Sequence, residues 1–304
     1  MKVVLLSGGG GGARSARGLA ATLSPGDLTV VGNVGDDLEI LGLHVSPDLD
    51  SLLYALSGLI DDERGWGRSS ETWNALESAA SWGGEDWFRL GDRDLGLHLV
   101  RTLALRGGAP LSEVTGNLAR RAGIRATIVP ATDDRLRTQV DTPAGTFAFQ
   151  EWFVGRRHAD EVDGVRYDGA DSAQPAPGVL SALEAADAIL LAPSNPYLSI
   201  GPILAVRAIH DAIEARTVRC VAVSPLVGGK AFSGPLDRML SRMAGGTTPE
   251  HVARCYPGLI DTLVVGAADA GATADVELVP AATLMHDRDS ECRLAEAVLE
   301  AACT

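Results

Sequence analysis

The 304-residue sequence predicts an α/β fold: a Rossmann-like, doubly wound and mostly parallel sheet with a small β-rich insertion. Short runs of β-branched and leucine residues alternate with helix-like segments, which is typical of parallel sheets with helical crossovers. A strand–glycine–helix unit opens the chain at residues 2–21. Alternating polarity near residues 138–178 predicts a hairpin and loop insertion within a single domain of residues 1–304.

The opening unit predicts an anion-binding site. Residues 3–6 form a buried-strand candidate. Five consecutive glycines follow: Gly8, Gly9, Gly10, Gly11 and Gly12. Because glycine lacks Cβ, a phosphate can closely approach bare N–H groups at a helix N-terminus. We expect a loop here, mobile when empty, that binds a nucleotide diphosphate. A tight turn without a ligand is the alternative.

Further elements follow in order along the chain. The other strand candidates are residues 28–32, 125–129, 188–192, 220–223, 263–265 and 277–280. The clearest helix candidates are residues 111–122, 180–186 and 290–302, a stretch holding His98 and Arg101, and a helix ending near Ala215. Residues 160–177 are polar and rich in glycine and proline, which predicts a loop. The alternation of strands and helices supports a parallel sheet.

A second candidate site lies at residues 46–51, SPDLDS. Asp48 and Asp50 are two positions apart and precede Leu52 and Leu53, which begin a helical spacing. Paired carboxylates are hard oxygen ligands that suit Mg²⁺. We therefore expect this pair to contact a metal or a substrate. The alternative is that Asp50 only caps the helix.

Four of the five tryptophans lie between residues 61 and 87. Aromatic rings grouped in a polar, glycine-broken segment suit a flat ring ligand, although core packing is the more common use of tryptophan. Residues 89–94, RLGDRD, follow with four charges. This segment is interpreted either as a ligand-binding loop or as a solvated loop with internal ion pairs.

Charge and cysteine usage exclude several classes of protein. The net charge of −14 argues against a broad nucleic-acid-binding or membrane-binding surface. The four cysteines are scattered without a C-x-x-C pair, which predicts reduced thiols. The apolar run at residues 3–6 is too short for a signal peptide, and no stretch approaches the ~20 apolar residues of a membrane span. We expect a cytoplasmic protein.

Eleven short stretches together resemble the 2-phospholactate transferase family of coenzyme F420 biosynthesis, in its bacterial, phosphoenolpyruvate-transferring form. They occur in family order over most of the chain: GGGGGAR (8–14), NVGDD (33–37), SPDLDS (46–51), GWG (65–67), ETWNA (71–75), DWFRLGDRDL (86–95), HLVRT (98–102), FQEWFV (149–154), LAPSNP (191–196), SIGPIL (199–204) and SPLVGGK (224–230). Each stretch alone is modest, and jointly they are specific.

The resemblance implies a Mg²⁺-dependent transferase. A guanosine-diphosphate-activated three-carbon acid, supplied by a guanylyltransferase partner, would give its phosphoryl-bearing group to the primary hydroxyl of the deazaflavin Fo, and GMP would leave. The donor nucleotide would contact residues 8–12, Ser194 and Asn195, which match the family stretches for that role. Family relatives also imply a homodimer.

The resemblance further implies an acceptor site. Asp50 and Arg89 fall on the family's Fo-contacting positions, and Trp66, Asp92 and Arg93 would lie near the acceptor. Asp48 and Asp50 are the predicted catalytic residues and Mg²⁺ ligands, since glycine amides and a metal would neutralise the charge that develops in phosphoryl-type transfer.

Residues 65–75 and 86–95 resemble the bacterial type and favour an enolpyruvyl donor, while 2-phospholactyl and 3-phosphoglyceryl donors stay open. Gly10 stands where the family usually has Thr or Val, and this difference affects the expected affinity for the donor.

Two other functions are alternatives to the transferase. A regulator of the same fold that binds sugar nucleotides would lack the acceptor features. A nicotinamide dehydrogenase is disfavoured because Asn33, and not an acid, follows the second strand.

Overall fold

The computed structural model describes residues 1–303. Its strands are β1 (Val3–Ser7), β2 (Leu28–Gly32), β3 (Leu38–Ile40), β4 (Leu43–Val45), β5 (Thr127–Pro130), β6 (Arg137–Thr142), β7 (Gly145–Ala148), β8 (Gly164–Asp168), β9 (Ala188–Leu191), β10 (Cys220–Val223), β11 (Leu226–Val227), β12 (Lys230–Ala231), β13 (Thr262–Gly266) and β14 (Glu277–Ala281).

Eleven α-helices connect these strands in the described part of the chain. They are α1 (Gly9–Thr22), α2 (Pro47–Ser57), α3 (Asn74–Ser81), α4 (Asp92–Arg106), α5 (Leu111–Arg121), α6 (Val179–Glu184), α7 (Gly201–Leu204), α8 (Arg207–Glu214), α9 (Leu236–Met243), α10 (Pro249–Ala253) and α11 (Arg288–Cys303). None of the helices within residues 1–303 is both long and apolar enough to cross a membrane.

The main sheet has seven strands in the order β14-β13-β10-β9-β1-β2-β5, and every neighbouring pair is parallel. All residues of β1, β9, β10 and β13 are buried, as expected for a parallel sheet that is covered on both faces. This confirms the predicted α/β class and doubly wound sheet.

The order of the strands reverses at β1. After β1 the chain adds β2 and β5 on one side, and it then crosses back to place β9 on the other side. Right-handed crossovers therefore put the helices before and after the reversal on opposite faces. The register pairs Val3 with Leu28 and with Ala188, so β1, β2 and β9 end at nearly the same level. The crevice outside these carboxyl ends is where such sheets bind ligands.

Residues 137–168 form a separate three-stranded antiparallel sheet in the order β7-β6-β8. The predicted hairpin is present as β6 and β7, but Glu151–Gly155 is a π-helical turn and not part of a strand. The prediction of an unbroken loop over residues 160–177 is wrong, because β8 lies within it. That strand is held by pairing with Arg137–Asp141, a partner that is distant in sequence.

The predicted helix ending near Ala215 is divided into three pieces. A π-helical turn at Pro196–Ile200 leads into α7, and α8 follows after a break. Prolines at positions 196 and 202 begin the first two pieces, because proline is tolerated in the first turn of a helix and not in its interior.

Candidate functional site

The glycine run and the segment after β9 meet in the crevice at the strand-order reversal. The hydroxyl of Ser194 donates a hydrogen bond to the carbonyl oxygen of Gly8 over 2.6 Å. A Cβ at Gly11 would lie 2.5 Å from the carbonyl oxygen of Pro193. The structure therefore places the predicted nucleotide-binding glycines directly against Ser194, although 186 positions separate Gly8 and Ser194 in sequence.

The glycine run is helical from Gly9 onward, so the prediction of a loop is wrong. Helix α1 begins at Gly9, and Gly8 in an extended conformation occupies the N-cap position. Packing from Pro193 and Ser194 holds the helix despite the low helix propensity of glycine. Four consecutive glycines, Gly9–Gly12, thus form the first turn of the helix, whose N–H groups have no partners within the helix.

Close packing explains some of the glycines. A Cβ at Gly8 would lie 2.6 Å from Asp48 Oδ2 and 2.7 Å from the Cβ of Ser199, a separation that real side chains do not show. At Gly10 the nearest atom would be the carbonyl oxygen of Gly65 at 3.3 Å. A Cβ at Gly10 would thus be less crowded than one at Gly8, Gly11 or Gly12, and the loop that carries Trp66 lies over Gly10.

Asp48 occupies part of the N-terminus of α1. Its Oδ1 accepts a 2.6 Å hydrogen bond from the Gly9 N–H, and its Oδ2 accepts a 2.9 Å hydrogen bond from Nδ2 of Asn33. The same Asn33 nitrogen also reaches Asp36 and the carbonyl oxygen of Leu198, at 3.2 Å each. Asn33 thus joins the loop after β2, the first turn of α2 and the turn after β9.

The carboxylates in this region are crowded and buried. Burial raises the pKa of Asp48 to about 6, even though the hydrogen bonds from Asn33 and Gly9 favour its charged form. Burial also raises the pKa of Asp36 well above its ordinary value, and the charge of Asp48 adds to the effect. Such shifts arise where negative charges are not fully compensated.

Asp37 completes this acidic cluster. Its Oδ2 accepts hydrogen bonds from Ser46 Oγ at 3.0 Å and interacts with His44 Nε2 at 3.1 Å. Its Oδ1 is buried and has no hydrogen-bond partner. A buried carboxylate oxygen without a partner is costly, which makes it a ready acceptor for a cation or a ligand hydroxyl.

Asp50 has a different environment from Asp48. It does not cap α2, since it lies in the first turn behind Ser46 at the N-cap position. Both of its oxygens accept hydrogen bonds from the guanidinium of the fully buried Arg101, one of them at 3.1 Å. His98 Nδ1 lies 3.7 Å from Asp50 Oδ2. Burial lowers the pKa of His98 to about 4, so its ring is neutral near pH 7.

The segment before α4 forms a ladder of alternating cations and aromatic rings. The guanidinium of Arg64 lies 5.3 Å from the ring centre of Trp66 and 5.2 Å from that of Trp73. The guanidinium of Arg89 covers the same Trp73 ring at 4.6 Å. The predicted acceptor-site residues Trp66 and Arg89 are thus linked through Trp73 and Arg64, and Trp66 is half exposed.

Asp92 and Arg93 serve the local fold. Asp92 accepts hydrogen bonds from Thr72 Oγ1, from the side-chain and backbone nitrogens of Asn74 and from the Ala75 N–H. The Thr72 hydroxyl makes the largest contribution to lowering the pKa of Asp92 to about 2. The backbone N–H of Arg93 donates to Glu71 over 2.8 Å. Contact of either side chain with an acceptor stays a prediction.

Asn195, the other predicted nucleotide contact, caps the turn that follows β9. Its Oδ1 accepts hydrogen bonds from the N–H groups of Tyr197 and Leu198, at 2.9 and 3.2 Å. Its Nδ2 lies 3.6 Å from the sulfur of Met239 on α9. Asn195 therefore connects the crevice to α9, and its contact with a nucleotide stays a prediction.

Sequence reasoning missed Arg101, Asn33 and Trp73 as site residues. Arg101 lies in the stretch HLVRT, where no spacing rule distinguishes a buried arginine from a solvated one. Asn33 follows a buried strand at the binding edge, which is the signal that could have identified it. The assembled site combines free helix N–H groups, a compact set of buried carboxylates and a cationic aromatic ladder. That combination suits an anionic donor, a divalent cation and a flat acceptor.

The chain is similar to known proteins over nearly its whole length. A family model described as 2-phospho-L-lactate transferase CofD matches residues 3–301. Proteins named phosphoenolpyruvate transferase are similar over nearly the whole chain. The one from Streptomyces griseus subsp. griseus is 43% identical, covering 99% of this chain and 98% of its own. The one from Nocardia farcinica is 42% identical, covering 99% and 95%.

The fold also resembles solved structures. Protein BH3568 from Bacillus halodurans superposes with a TM-score of 0.67 at 18% identity, covering 98% of this chain and 99% of that chain. A second structure of that protein, described as a member of the UPF0052 family, gives a TM-score of 0.64 at 18% identity. At this identity the likeness concerns the fold alone.

Proposed function

Because the chain belongs to the 2-phospho-L-lactate transferase CofD family, we propose that it transfers a phosphoenolpyruvyl group in coenzyme F420 biosynthesis. The donor is enolpyruvyl-diphospho-5′-guanosine, the acceptor is the deazaflavin Fo, and the products are dehydro coenzyme F420-0 and GMP. Relatives named phosphoenolpyruvate transferase that align over nearly their whole length support the choice of donor. The observation that carries the proposal is the meeting of the α1 N-terminus, Ser194 and Asp48 in one crevice.

The first turn of α1 binds the donor diphosphate in this proposal. The first N–H groups of a helix have no partner within the helix and carry the positive end of its dipole. The Gly9 N–H is already bound to Asp48, so the N–H groups of Gly10 and Gly11 remain for phosphate oxygens. A diphosphate at this position would lie beside the Asp48 carboxylate, and the two anions would repel each other without a cation.

The residues present fit a Mg²⁺ ion. Mg²⁺ commonly binds through one or two carboxylates together with phosphate oxygens. Asp48 is the best placed of the predicted pair, and Asp37 offers a buried oxygen without a partner. Both oxygens of Asp50 already accept hydrogen bonds from Arg101, so only their remaining lone pairs are available to the ion. The ion would offset the negative charge of the diphosphate and stabilise the leaving phosphate of GMP.

The ladder of Arg64, Trp66, Trp73 and Arg89 receives the acceptor ring in this proposal. Stacked aromatic and guanidinium groups present flat faces to a tricyclic ring. The exposed half of Trp66 leaves a face available for such a contact. The loop carrying Trp66 lies over Gly10, so a ring bound there would direct its side chain toward the diphosphate.

The primary hydroxyl oxygen of Fo forms a bond to the phosphorus that carries the enolpyruvyl group, and the bond from that phosphorus to the bridging oxygen breaks, so that GMP leaves with the electron pair. The O–H bond of the attacking hydroxyl also breaks, and its proton passes to solvent or to the phosphate of the leaving GMP. Asp50 accepts a hydrogen bond from the attacking hydroxyl and orients it. Both Asp50 oxygens also accept hydrogen bonds from Arg101, which fixes the orientation of the carboxylate. Positioning and charge neutralisation supply most of the catalysis.

GMP release tests this proposal. Incubation with Mg²⁺ and the purified donor should release GMP only when Fo is added, in an amount equal to the Fo consumed. Fo fluorescence should change on binding to the protein alone. A sugar-nucleotide-binding regulator would show neither the change in Fo fluorescence nor the release of GMP.

A further inference from the structure

A closed loop at residues 60–68, called the Trp66 loop below, lies beside α1. An antiparallel bridge between Ile60 and Arg68 holds its two ends together. Within the loop, the guanidinium of Arg64 donates a 2.6 Å hydrogen bond to the carbonyl oxygen of Arg68. The loop thus has a hydrogen-bond network of its own, and its contacts with neighbouring elements set where it lies.

The Trp66 loop follows one face of α1. Gly10, Arg14 and Arg17 share this face, because they are spaced by four and then three positions along the helix. The carbonyl oxygen of Gly65 lies 3.3 Å from the position of a Cβ at Gly10, and Nη2 of Arg14 lies 3.4 Å from that of a Cβ at Gly65. Farther from the helix N-terminus, Asp62 meets Arg17. The loop therefore extends from the middle of α1 to its first turn.

A single ion pair joins the Trp66 loop to α1 among residues 1–303. Nη1 of Arg17 donates a 2.8 Å hydrogen bond to Asp62 Oδ1. The Arg17 side chain is 5% exposed, and that of Asp62 is 58% exposed. Because ion pairs with an exposed partner contribute little to the stability of a fold, this pair has more effect on where the loop lies than on whether the chain folds.

Glu291 on α11 fixes the direction of the Arg17 guanidinium. Nε of Arg17 donates to Glu291 Oε2 over 2.7 Å, and Nη2 of the same guanidinium donates to Oε1. Both side chains are buried. A bidentate pair between an arginine and a carboxylate has a defined geometry, so the remaining nitrogen, Nη1, faces the loop in a set orientation.

Arg17 and Asp62 lie away from the reacting atoms. Arg17 follows Gly9 by eight positions, which corresponds to about 12 Å along the helix axis. The pair therefore affects the acceptor site only through the loop, whose Trp66 ring is half exposed and lies 5.3 Å from the guanidinium of Arg64.

We propose that Arg17 and Asp62 are positioning residues of the acceptor site. Their ion pair holds the Trp66 loop against α1, so that the ring of Trp66 stays where the acceptor ring binds. The inference rests on the proposed transferase function. Without the pair, the loop is docked in only a fraction of the molecules, and the apparent affinity for the acceptor falls in proportion to that fraction.

Asp62→Ala tests this assignment, because it removes the ion pair and leaves Arg17 paired with Glu291. Fo fluorescence titration should show binding weakened by at least about 3-fold. At saturating Fo, kcat should stay within about 2-fold of wild type, because bound Fo restores the docked loop. GDP affinity should be unchanged. Asp62→Asn keeps an oxygen that accepts from Arg17, so its Fo affinity should lie between those of wild type and Asp62→Ala.

Glu63→Ala is the matched control. Glu63 is next to Asp62 on the same loop, is exposed and has no ion-pair partner among the described residues. Its replacement removes the same charge and should leave Fo affinity at the wild-type value. Hydrogen–deuterium exchange of the peptide spanning residues 60–68, measured without Fo, reports the loop independently of activity. This peptide should exchange at least about 3-fold faster in Asp62→Ala than in Glu63→Ala.

The outcomes separate this inference from the proposed function. GMP release by the wild-type protein, with equal Fo affinity in Asp62→Ala and Glu63→Ala, would overturn the positioning role and leave the transferase standing. A lower kcat with unchanged Fo affinity in Asp62→Ala would also overturn that role, since the pair would then act on the reaction step. Absence of both Fo binding and GMP release in the wild-type protein would overturn both.

Discussion

Asp48 on α2 binds the first N–H of α1: its Oδ1 accepts a 2.6 Å hydrogen bond from Gly9. A carboxylate thus occupies part of the helix N-terminus at which a phosphate is expected. Burial raises the pKa of Asp48 to about 6, so its negative charge is not fully compensated by its hydrogen-bond partners. This contact relates the two halves of the proposed site, the donor glycines and the acidic cluster.

Replacing Asp48 with Asn is expected to lower kcat/KM for transfer by at least about 100-fold, since several kcal/mol of charge stabilisation are lost. The fold should survive, because the amide oxygen of Asn can still accept from the Gly9 N–H, although the hydrogen bond from Asn33 Nδ2 is lost. Steady-state GMP release at several Mg²⁺ concentrations measures this effect. Asp27→Asn, at the exposed ion pair with the chain N-terminus, is the control and should retain activity. Unchanged Mg²⁺ dependence in Asp48→Asn would contradict the assignment.

Gly11→Ala and Gly10→Ala are expected to differ strongly. The new methyl group at position 11 would lie 2.5 Å from the Pro193 carbonyl oxygen, whereas at position 10 the nearest atom is 3.3 Å away. Overpacking of this kind costs typically ~1–3 kcal/mol, so Gly11→Ala should unfold at lower denaturant concentration. Gly10→Ala should be close to wild type in stability. Equal stability of the two variants would contradict the described packing.

Arg101→Met should destabilise the protein by about 3–5 kcal/mol, because it leaves the Asp50 carboxylate buried without its partner. Combining it with Asp50→Asn should recover part of the loss, because the unpaired charge is removed. Urea unfolding of the two single variants and of the double variant gives the coupling energy. Additive effects within about 0.5 kcal/mol would mean that the two groups do not interact.

His98 should weaken the fold in acid. Its pKa of about 4 in the folded protein lies below the ordinary 6.5, so the unfolded chain binds more protons between these values and stability falls as pH drops from about 6.5 to 4. The loss amounts to at most about 3 kcal/mol. His98→Gln, which does not titrate, should lose less stability than the wild type over this range, as measured by urea unfolding at pH 7, 5.5 and 4.5.

The wild type must be compared with His98→Gln, because the neighbouring Asp94 changes the stability of the fold in the opposite direction over this pH range. Burial raises the pKa of Asp94 to about 6, so this carboxyl stabilises the fold as pH falls through the same range. The wild-type curve alone therefore does not isolate His98. Parallel pH profiles for the wild type and His98→Gln would show that the imidazole titrates normally.

The sheet was predictable because its strands are continuous apolar runs that are buried on both faces. Leu28–Gly32 and Cys220–Val223 are found as the sequence indicates. Strand β8 was not predictable, because its residues GVRYD are mostly polar and it is held by partners on β6. The helical state of the glycines was missed for a similar reason: contacts from Pro193 and Ser194 override their local preference.

Parts of the candidate site followed from the sequence as well. The positions of Ser194 and the glycines could be anticipated, since both follow strands that end at the same edge of a parallel sheet. The pairing of Asp50 with Arg101 could not, because 51 positions separate them and no local pattern relates a helix interior to a distant first turn. The same holds for the stacking of Arg89 on Trp73.

The most direct test of the account is the mass of the product formed from Fo. The protein is incubated with Fo, Mg²⁺, GTP, a guanylyltransferase and, in separate reactions, phosphoenolpyruvate, 2-phospholactate or 3-phosphoglycerate. The expected product has the enolpyruvyl mass and forms with phosphoenolpyruvate only. A phospholactyl or phosphoglyceryl product would keep the mechanism and correct the donor. Absence of any Fo adduct, in the presence of tight guanosine-nucleotide binding, would contradict the proposed transferase.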